Sequence, residues 1–185
     1  RNDIILNEVY KCIEEERKIL ILSDRRDHLK ILHKHLNDKN ISNGFYCGGM
    51  KQKDLKESET KQVMLGTFSM ASEGFDCKSL NTIFLASPKS TIEQAVGRIL
   101  RQKKEDRQIV PMVIDIIDNF SIFSRQGEKR KKFYKKNKYD INNINLDKRE
   151  CNKKDTNETD TNETYTNETE KDKHEYKFQP DSDDE

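Results

Sequence analysis

The chain of 185 residues is long enough for one domain with a hydrophobic core and too short for two domains of ordinary size. Hydrophobic residues make up 32% of it and charged residues 37%, a balance that predicts that part of the chain lies outside any core. The formal net charge of +1 hides a split, because residues 152–185 hold 5 Lys against 12 Asp or Glu, a net of −7, and the remainder carries +8. A basic body with an acidic tail fits a protein that binds polyanions, although solubility alone would also account for these charges.

Cysteine spacing and hydropathy exclude several classes of protein. The four cysteines, Cys12, Cys47, Cys77 and Cys151, form no C-x-x-C pair, which argues against a zinc site or a disulfide framework and for a reducing compartment. No apolar stretch approaches the length of a membrane span and no signal peptide is visible, so we expect an intracellular protein, cytoplasmic or nuclear, with no membrane partner. The absence of a methionine before Arg1 favours a fragment of a longer protein.

The first half of the chain alternates helical and strand patterns. Helical spacing of apolar residues predicts a helix over 3–16, and the run KILILS at 18–23 predicts a strand buried on both faces. Asp24 is positioned to cap the helix that follows, whose apolar stripe is Leu29, Leu32 and Leu36. A second strand is predicted over 41–47, ended by Gly48 and Gly49, and a short polar helix follows.

The second half continues the alternation. A third strand is predicted over 61–68, a fourth over 80–87 and a fifth over 108–117, where Pro111 indicates an edge position or a late start. Thr91 and Gln94 have the spacing of a capping box, which predicts the start of a helix between the last two strands. Continuous Ile, Leu and Val in strands that alternate with helices predict an α/β fold: a parallel sheet with helices on both faces, over residues 1–118.

Beyond residue 118 the composition changes twice. Residues 119–150 predict a basic helical extension, with 7 Lys or Arg against one Glu between positions 126 and 138 and with the aromatic residues Phe120, Phe123, Phe133 and Tyr134. Residues 151–185 repeat TNET three times and hold few apolar residues, which predicts a disordered acidic low-complexity tail. Lys131 and Lys132 either belong to a solvated face or, with Phe133 and Tyr134 beside them, contact nucleic acid.

Two stretches carry residues suited to binding a ligand or a phosphate, although no G-x-x-x-x-G-K-[ST] phosphate loop occurs in the sequence. Thr67 ends a buried strand, where side chains and backbone N–H groups become available to a ligand. A loop of small residues follows, with Gly74 two positions before Asp76, whose carboxylate could accept a sugar hydroxyl or orient an arginine, or simply cap the next turn.

The second stretch, EQAVGRILRQ at 93–102, predicts a helix with one glutamine and two arginines on the same face. Gln94, Arg98 and Arg101 share that face at i, i+4 and i+7, and Gly97 permits close packing. The guanidinium fork matches phosphate oxygens, so the two arginines could reach a phosphate on another body. They could equally form a solvated helix face with ordinary ion pairs.

Together the two stretches resemble motifs V and VI of superfamily two helicases, the second matching the signature Q-x-x-G-R-x-x-R. ILILSDRRDHLKIL resembles the motif IV region and FYCGGMKQKDL the next strand and turn, in the family's order, so the resemblance covers residues 1–138. The extension is similar to that of DEAD/DEAH-type helicases of large DNA viruses and phages. Ala95 departs from the pattern, because many members have a second arginine after the glutamine.

The resemblance implies the C-terminal RecA-like lobe of an ATP-dependent helicase or translocase, whose first lobe supplies the phosphate loop and holds most of the ATP with Mg²⁺. Arg98 and Arg101, with Gln94, would be catalytic. The residues that it places beside the nucleotide are Gly74, Asp76 and Gly97. The residues that it places on the DNA or RNA backbone are Thr67 and Ser69, with Lys131 and Lys132 as further contacts.

Two other classes of protein compete with the helicase interpretation. The first is a non-catalytic module that binds nucleic acid or a protein partner and retains this lobe. The second is a Rossmann-like enzyme acting on small molecules, which the absence of G-x-G-x-x-G after a strand disfavours. The partners expected on the helicase interpretation are the N-terminal lobe and a nucleic acid, and a virus is one expected source.

Overall fold

The computed structural model describes residues 1–72, 77–99 and 107–145. The chain divides into two compact units, residues 1–141 and 142–185, and only residues 142–145 of the second are described. The predicted tail at 151–185 therefore lies outside the described residues. The helices in chain order are α1 (Asn2–Glu14), α2 (Arg26–Asp38), α3 (Gln52–Thr60), α4 (Phe68–Ser72), α5 (Glu93–Ile99) and α6 (Ser121–Lys136). The strands are β1 (Ile19–Leu22), β2 (Asn43–Tyr46), β3 (Val63–Gly66), β4 (Thr82–Leu85) and β5 (Met112–Asp115).

The five strands form one parallel sheet in the order β2-β3-β1-β4-β5. All four residues of β1, β3 and β4 are buried, which is why these strands are continuously apolar in sequence. Their side chains alternate between two cores, so that Leu20 and Leu22 pack on one face of the sheet and Ile19 and Ile21 on the other. The predicted α/β fold, a parallel sheet with helices on both faces, is confirmed.

Strand β5 has the position that its proline predicts. It begins at Met112, directly after Pro111, and it is the edge strand next to β4. Its residues are only half-buried, in contrast to those of the inner strands. The sequence run of 108–117 was too long as a strand prediction because a proline cannot donate a ladder hydrogen bond.

Two predicted helix caps are wrong. Helix α2 begins at Arg26 with Arg25 at the capping position, and the Asp24 carboxylate instead forms an ion pair with Lys89 Nζ at 3.0 Å. Helix α5 begins at Glu93, so Thr91 does not occupy the capping position that the capping box requires. Lys89, which is distant in sequence, binds the Asp24 carboxylate in place of the helix N-terminus. Sequence spacing alone does not reveal that partner.

Helix α6 packs into the same compact unit as the sheet through one stripe of residues. Gly127 lies so close to Ile117 that an added Cβ would meet its Cγ2 at 2.9 Å, and Arg130 is 1% exposed. Tyr134 and Phe133 pack against the core that holds Leu85. No helix of the described residues is long and apolar enough to cross a membrane.

Candidate nucleotide and nucleic-acid sites

The predicted site residues follow strands whose carboxyl ends meet at one edge of the sheet, since all strands are parallel. Ser23 follows β1, Thr67 follows β3 and Ser87 follows β4. The backbone N–H of Asp24 donates to Ser87 Oγ at 3.0 Å, which joins the segments after β1 and β4. This edge is therefore held by polar contacts and is the region where a ligand could meet backbone and side-chain donors.

Thr67 occupies the junction between β3 and α4. Its carbonyl accepts the N–H of Ala71 at 3.1 Å, which closes the first turn of the helix. Its hydroxyl lies 3.2 Å from Ser69 Oγ, and Thr67 is 9% exposed whereas Ser69 is exposed. The two hydroxyls predicted to contact nucleic acid thus form one pair at the start of α4.

Arg98 contacts the opposite end of the same helix. Its Nε donates to the Ala71 carbonyl at 2.9 Å and its Nη2 to the Ser72 carbonyl at 2.8 Å. These carbonyls lie in the last turn of α4, where acceptors have no partner within the helix, so the arginine satisfies them and its charge suits the negative end of the helix. Helix α4 therefore connects Thr67 at its start with Arg98 at its end.

The other predicted nucleotide contacts divide into two groups. Gln94 is exposed and stands one turn before Arg98 on α5. Gly97 is also exposed, and a Cβ added there would meet nothing within 4 Å, so the close packing that we predicted for it does not occur against the described part of the lobe. The predicted site residues that lie outside the described residues are Gly74, Asp76 and Arg101.

The lysines and the aromatic residues of the basic run have different surroundings. Lys132 is exposed and Lys131 is half-buried, 3.9 Å from Glu128, as a surface pair would be. Phe133 and Tyr134, however, pack against the core and against Tyr139, with ring centroids 6.1 Å apart in each case. Because their rings are used in packing, they are not available to stack on bases beside the two lysines.

Sequence reasoning missed a buried ion pair that anchors α6. Arg130 donates from Nε and Nη2 to the two carboxylate oxygens of Asp115, each at 2.8 Å, and from Nη1 to the Lys89 carbonyl. Tyr134 donates to the same carboxylate at 3.1 Å. Burial, followed by the neighbouring Asp115 charge, raises the pKa of Tyr134, so its hydroxyl stays protonated and keeps donating.

The segment between β4 and α5, which Arg130 holds at Lys89, also contacts the residues at the carboxyl edge of the sheet. Lys89, whose carbonyl Arg130 holds, reaches Asp24 after β1 and lies with its Nζ 5.4 Å from the centre of the Phe68 ring in α4. A contact between an ammonium group and an aromatic face at this distance is attractive. Helix α6 thus fixes the segment between β4 and α5, and the signal that could have revealed it is the helical spacing of Gly127, Arg130 and Tyr134.

A histidine supports the start of α2. His28 Nδ1 lies 3.2 Å from Ser23 Oγ and its Nε2 lies 3.1 Å from Asn2 Oδ1. Burial lowers the pKa of His28, and the charges of Arg1 and Arg25 lower it further. A neutral ring that donates from Nε2 to the amide oxygen and accepts at Nδ1 from the serine hydroxyl satisfies both contacts.

Comparison with known proteins places this lobe in a family. The sequence profile described as Helicase conserved C-terminal domain matches residues 2–103. The chain is 41% identical over 144 residues to a protein of Acanthamoeba polyphaga mimivirus that bears the name Putative ATP-dependent RNA helicase L396, covering 76% of this chain and 27% of that protein. It is 33% identical over 94 residues to the protein of African swine fever virus named Putative ATP-dependent RNA helicase QP509L, covering 50% of this chain and 18% of that protein.

A solved structure supports the fold. The C-terminal part of the Fun30 ATPase domain superposes with a TM-score of 0.58 at 14% identity, covering 79% of this chain and 47% of that one. The chain spans about a quarter of the mimivirus protein and less than a fifth of the African swine fever virus protein. With the profile match extending over more than half of its residues, the chain belongs to the helicase conserved C-terminal domain family, as a RecA-like C-terminal lobe of the superfamily two type.

Proposed function

We propose that the chain is the second lobe of an ATP-dependent nucleic-acid helicase, in which it brings arginines to ATP held mainly by a first lobe with Mg²⁺. The observation that carries the proposal is the contact of helix α4 with Thr67 at its start and with Arg98 at its end. One short helix thereby joins the predicted nucleic-acid contact to the predicted phosphate contact. The names of the two viral relatives favour RNA as the substrate and a virus as the source.

On the nucleotide side, Arg98 and Arg101 place permanent positive charge against the phosphates as negative charge shifts in the transition state. Gln94 lies one turn before Arg98, and Gly97 is exposed, with nothing in the described part of the lobe within 4 Å of where its Cβ would stand. Gly74 and Asp76 follow in sequence within four positions of Ser72, whose carbonyl Arg98 holds. Arg98, the predicted phosphate contact, thus holds the end of the helix that precedes the predicted nucleotide contacts in sequence.

On the nucleic-acid side, the hydroxyls of Thr67 and Ser69 donate to strand phosphates, with Lys131 and Lys132 as further cationic contacts. Closure of the lobes on ATP changes what Arg98 contacts and moves the end of α4. Because Thr67 directly precedes the same helix, that movement changes the contact of Thr67 with the strand. Alternation between two such states during hydrolysis produces directional motion.

Arginine-to-lysine substitution in the protein that carries both lobes tests the proposal. Arg101→Lys and Arg98→Lys should lower kcat by about two orders of magnitude or more, since an arginine finger is worth about 10³–10⁵ in rate. Lysine keeps the charge but loses the forked donors, so affinity for the strand should change little. Thr67→Ala should instead weaken strand binding and its stimulation of hydrolysis while basal turnover persists.

Steady-state ATPase assays with and without a saturating single strand separate these outcomes. Arg125→Lys is the matched control, because Arg125 is an exposed arginine on α6 whose Nε donates to the Ser121 carbonyl of its own helix and, among the described residues, to no other group. If Arg98→Lys and Arg101→Lys hydrolyse ATP like the Arg125→Lys control, the two arginines make no catalytic contact with the ATP phosphates. The lobe is then a non-catalytic binding module.

A further inference from the structure

Helix α4 is held at both ends by side chains from one stretch of the chain, residues 89–98. At the end of the helix, Arg98 donates to the carbonyls of its last two residues. At the start of the helix, Lys89 Nζ lies over the ring of Phe68, 5.4 Å from its centre. The stretch runs from the segment after β4 into α5, so a displacement of α5 can act on α4 at two points instead of one.

Lys89 is itself held by contacts with two other parts of the lobe. Its carbonyl accepts from Arg130 Nη1 of α6, and its Nζ pairs with Asp24 at 3.0 Å. Two positions earlier, Ser87 Oγ accepts the backbone N–H of the same Asp24. A free surface lysine samples many rotamers, and these contacts restrict this one. The ammonium group is therefore fixed over the Phe68 ring, although 39% of the lysine side chain remains exposed.

Phe68 passes this restraint to the predicted strand contact. It directly follows Thr67 and begins α4, and its ring is 3% exposed. The ring belongs to the same core cluster as Ile92, the residue before α5. If Arg98 alone held α4, the helix could pivot about its end and leave Thr67 in place. With Lys89 at the start as well, α4 follows α5 as a whole and takes Thr67 with it.

We propose that Lys89 is a positioning residue that couples the ATP contact of Arg98 to the strand contact of Thr67, by making the start of α4 move together with α5. The inference rests on the proposed helicase function and adds to it the residue that transmits movement from one site to the other. Lys89 acts through Phe68 and contacts neither ATP nor the strand. Coupling between two ligands is reciprocal, so ATP and the strand change each other's affinity by one factor, and Lys89 sets the size of that factor.

Fluorescence anisotropy of a labelled single strand, with the protein that carries both lobes, measures this factor. It is the ratio of the strand dissociation constants without and with a non-hydrolysable ATP analogue. Lys89→Met removes the ammonium group and keeps an unbranched side chain, and it should bring the ratio at least about twofold closer to one, the change that corresponds to the weakest contact between a cation and an aromatic ring. Lys89→Arg keeps a cation for both the ring and the carboxylate and should restore the ratio of the parent.

Lys61→Met is the matched control. Lys61 pairs with Glu57 at 3.1 Å, its side chain is 33% exposed, and it lies before β3, at the opposite edge of the sheet. Both substitutions remove one partly exposed ion pair, which contributes little to stability, so both proteins should melt within a few degrees of the parent. The ratio measured with Lys61→Met should equal that of the parent.

The salt dependence of strand binding separates positioning from direct contact. Lys89→Met should leave the salt slope of the binding constant unchanged, whereas the loss of a lysine that binds a strand phosphate would reduce the slope by about one. A slope reduced in this way would refute the positioning role.

The remaining outcomes distinguish this inference from the proposed function. If Lys89→Met gives the same ratio as Lys61→Met while Arg98→Lys loses ATP turnover, Lys89 does not position α4 and the proposed function stands. A parent protein whose strand affinity does not respond to the ATP analogue would likewise overturn the role of Lys89. If Arg98→Lys turns over ATP like the parent, the proposed function fails, and the inference fails with it.

Discussion

Replacing Arg130 with alanine should detach α6 from the sheet, because the change leaves a carboxylate inside the protein without its cation. The side chains of Arg130 and Asp115 are 2% and 11% exposed, and two hydrogen bonds of 2.8 Å join them. A third arginine donor holds the Lys89 carbonyl, which also loses its partner. Tyr134 is the one donor of this cluster that stays on the carboxylate after the substitution.

The contacts set the size of the effect. Removing one partner of a buried ion pair costs about 3–5 kcal/mol, and hydrogen bonds to charged groups contribute about 1.5–3 kcal/mol each. The remaining bond from Tyr134 and the slight exposure of Asp115 reduce the loss, so we expect Arg130→Ala to lower the free energy of unfolding by about 3–5 kcal/mol. At roughly 2–4 °C for each kcal/mol, the melting temperature should fall by about 6–20 °C.

Urea and thermal unfolding followed by circular dichroism measure this loss. Lys132→Ala, which removes an exposed charge from the same helix, should stay within about 0.5 kcal/mol of the parent. Adding Asp115→Asn to Arg130→Ala should recover part of the stability, because the unpaired buried charge is then removed. Arg130→Ala melting within about 1 kcal/mol of the Lys132→Ala protein would refute the anchoring role of the pair.

Three further predictions concern pH and glycine positions. Burial lowers the pKa of His28, so near pH 6.5, the ordinary pKa of a histidine, the unfolded chain takes up a proton that the folded chain does not. Stability should therefore fall as the pH drops below that value, and His28→Asn should reduce this pH dependence in urea melts. Gly97→Ala should stabilise this chain by about 0.5–1 kcal/mol yet lower ATP turnover of the protein with both lobes, whereas unchanged turnover would remove Gly97 from the nucleotide site. Gly44→Ala should instead destabilise this chain by about 1–3 kcal/mol in thermal melts, because the new Cβ would lie 2.7 Å from Ser58 Oγ. An unchanged melting temperature would mean that α3, which carries Ser58, moves away without loss of stability.

The sheet could be predicted from sequence because its signals are local. Continuous apolar runs gave the inner strands, and Pro111 gave both the edge position and the start of β5. Contacts between distant segments could not be predicted in the same way. Asp24 pairs with Lys89, 65 positions away, and Arg130 looks like one more surface cation until Asp115 is brought beside it by β5. The buried role of a charged residue depends on tertiary neighbours that a sequence pattern does not contain.

The same limit applied to the candidate site. The order of the motifs identified the family, and the helical spacing of Gln94 and Arg98 on α5 was confirmed. That Arg98 holds the end of α4 depends on how two short helices pack, which neither segment reveals alone.

ATP hydrolysis by the purified 185-residue chain tests the central claim most directly. The chain supplies arginines but contains no phosphate loop, so it should release phosphate from ATP at no more than the background rate, with or without single-stranded nucleic acid. Joined to a lobe that carries a phosphate loop, it should support turnover that the strand stimulates. Robust hydrolysis by the chain alone, stimulated by a single strand, would contradict the account of a second lobe that completes a site held by a first.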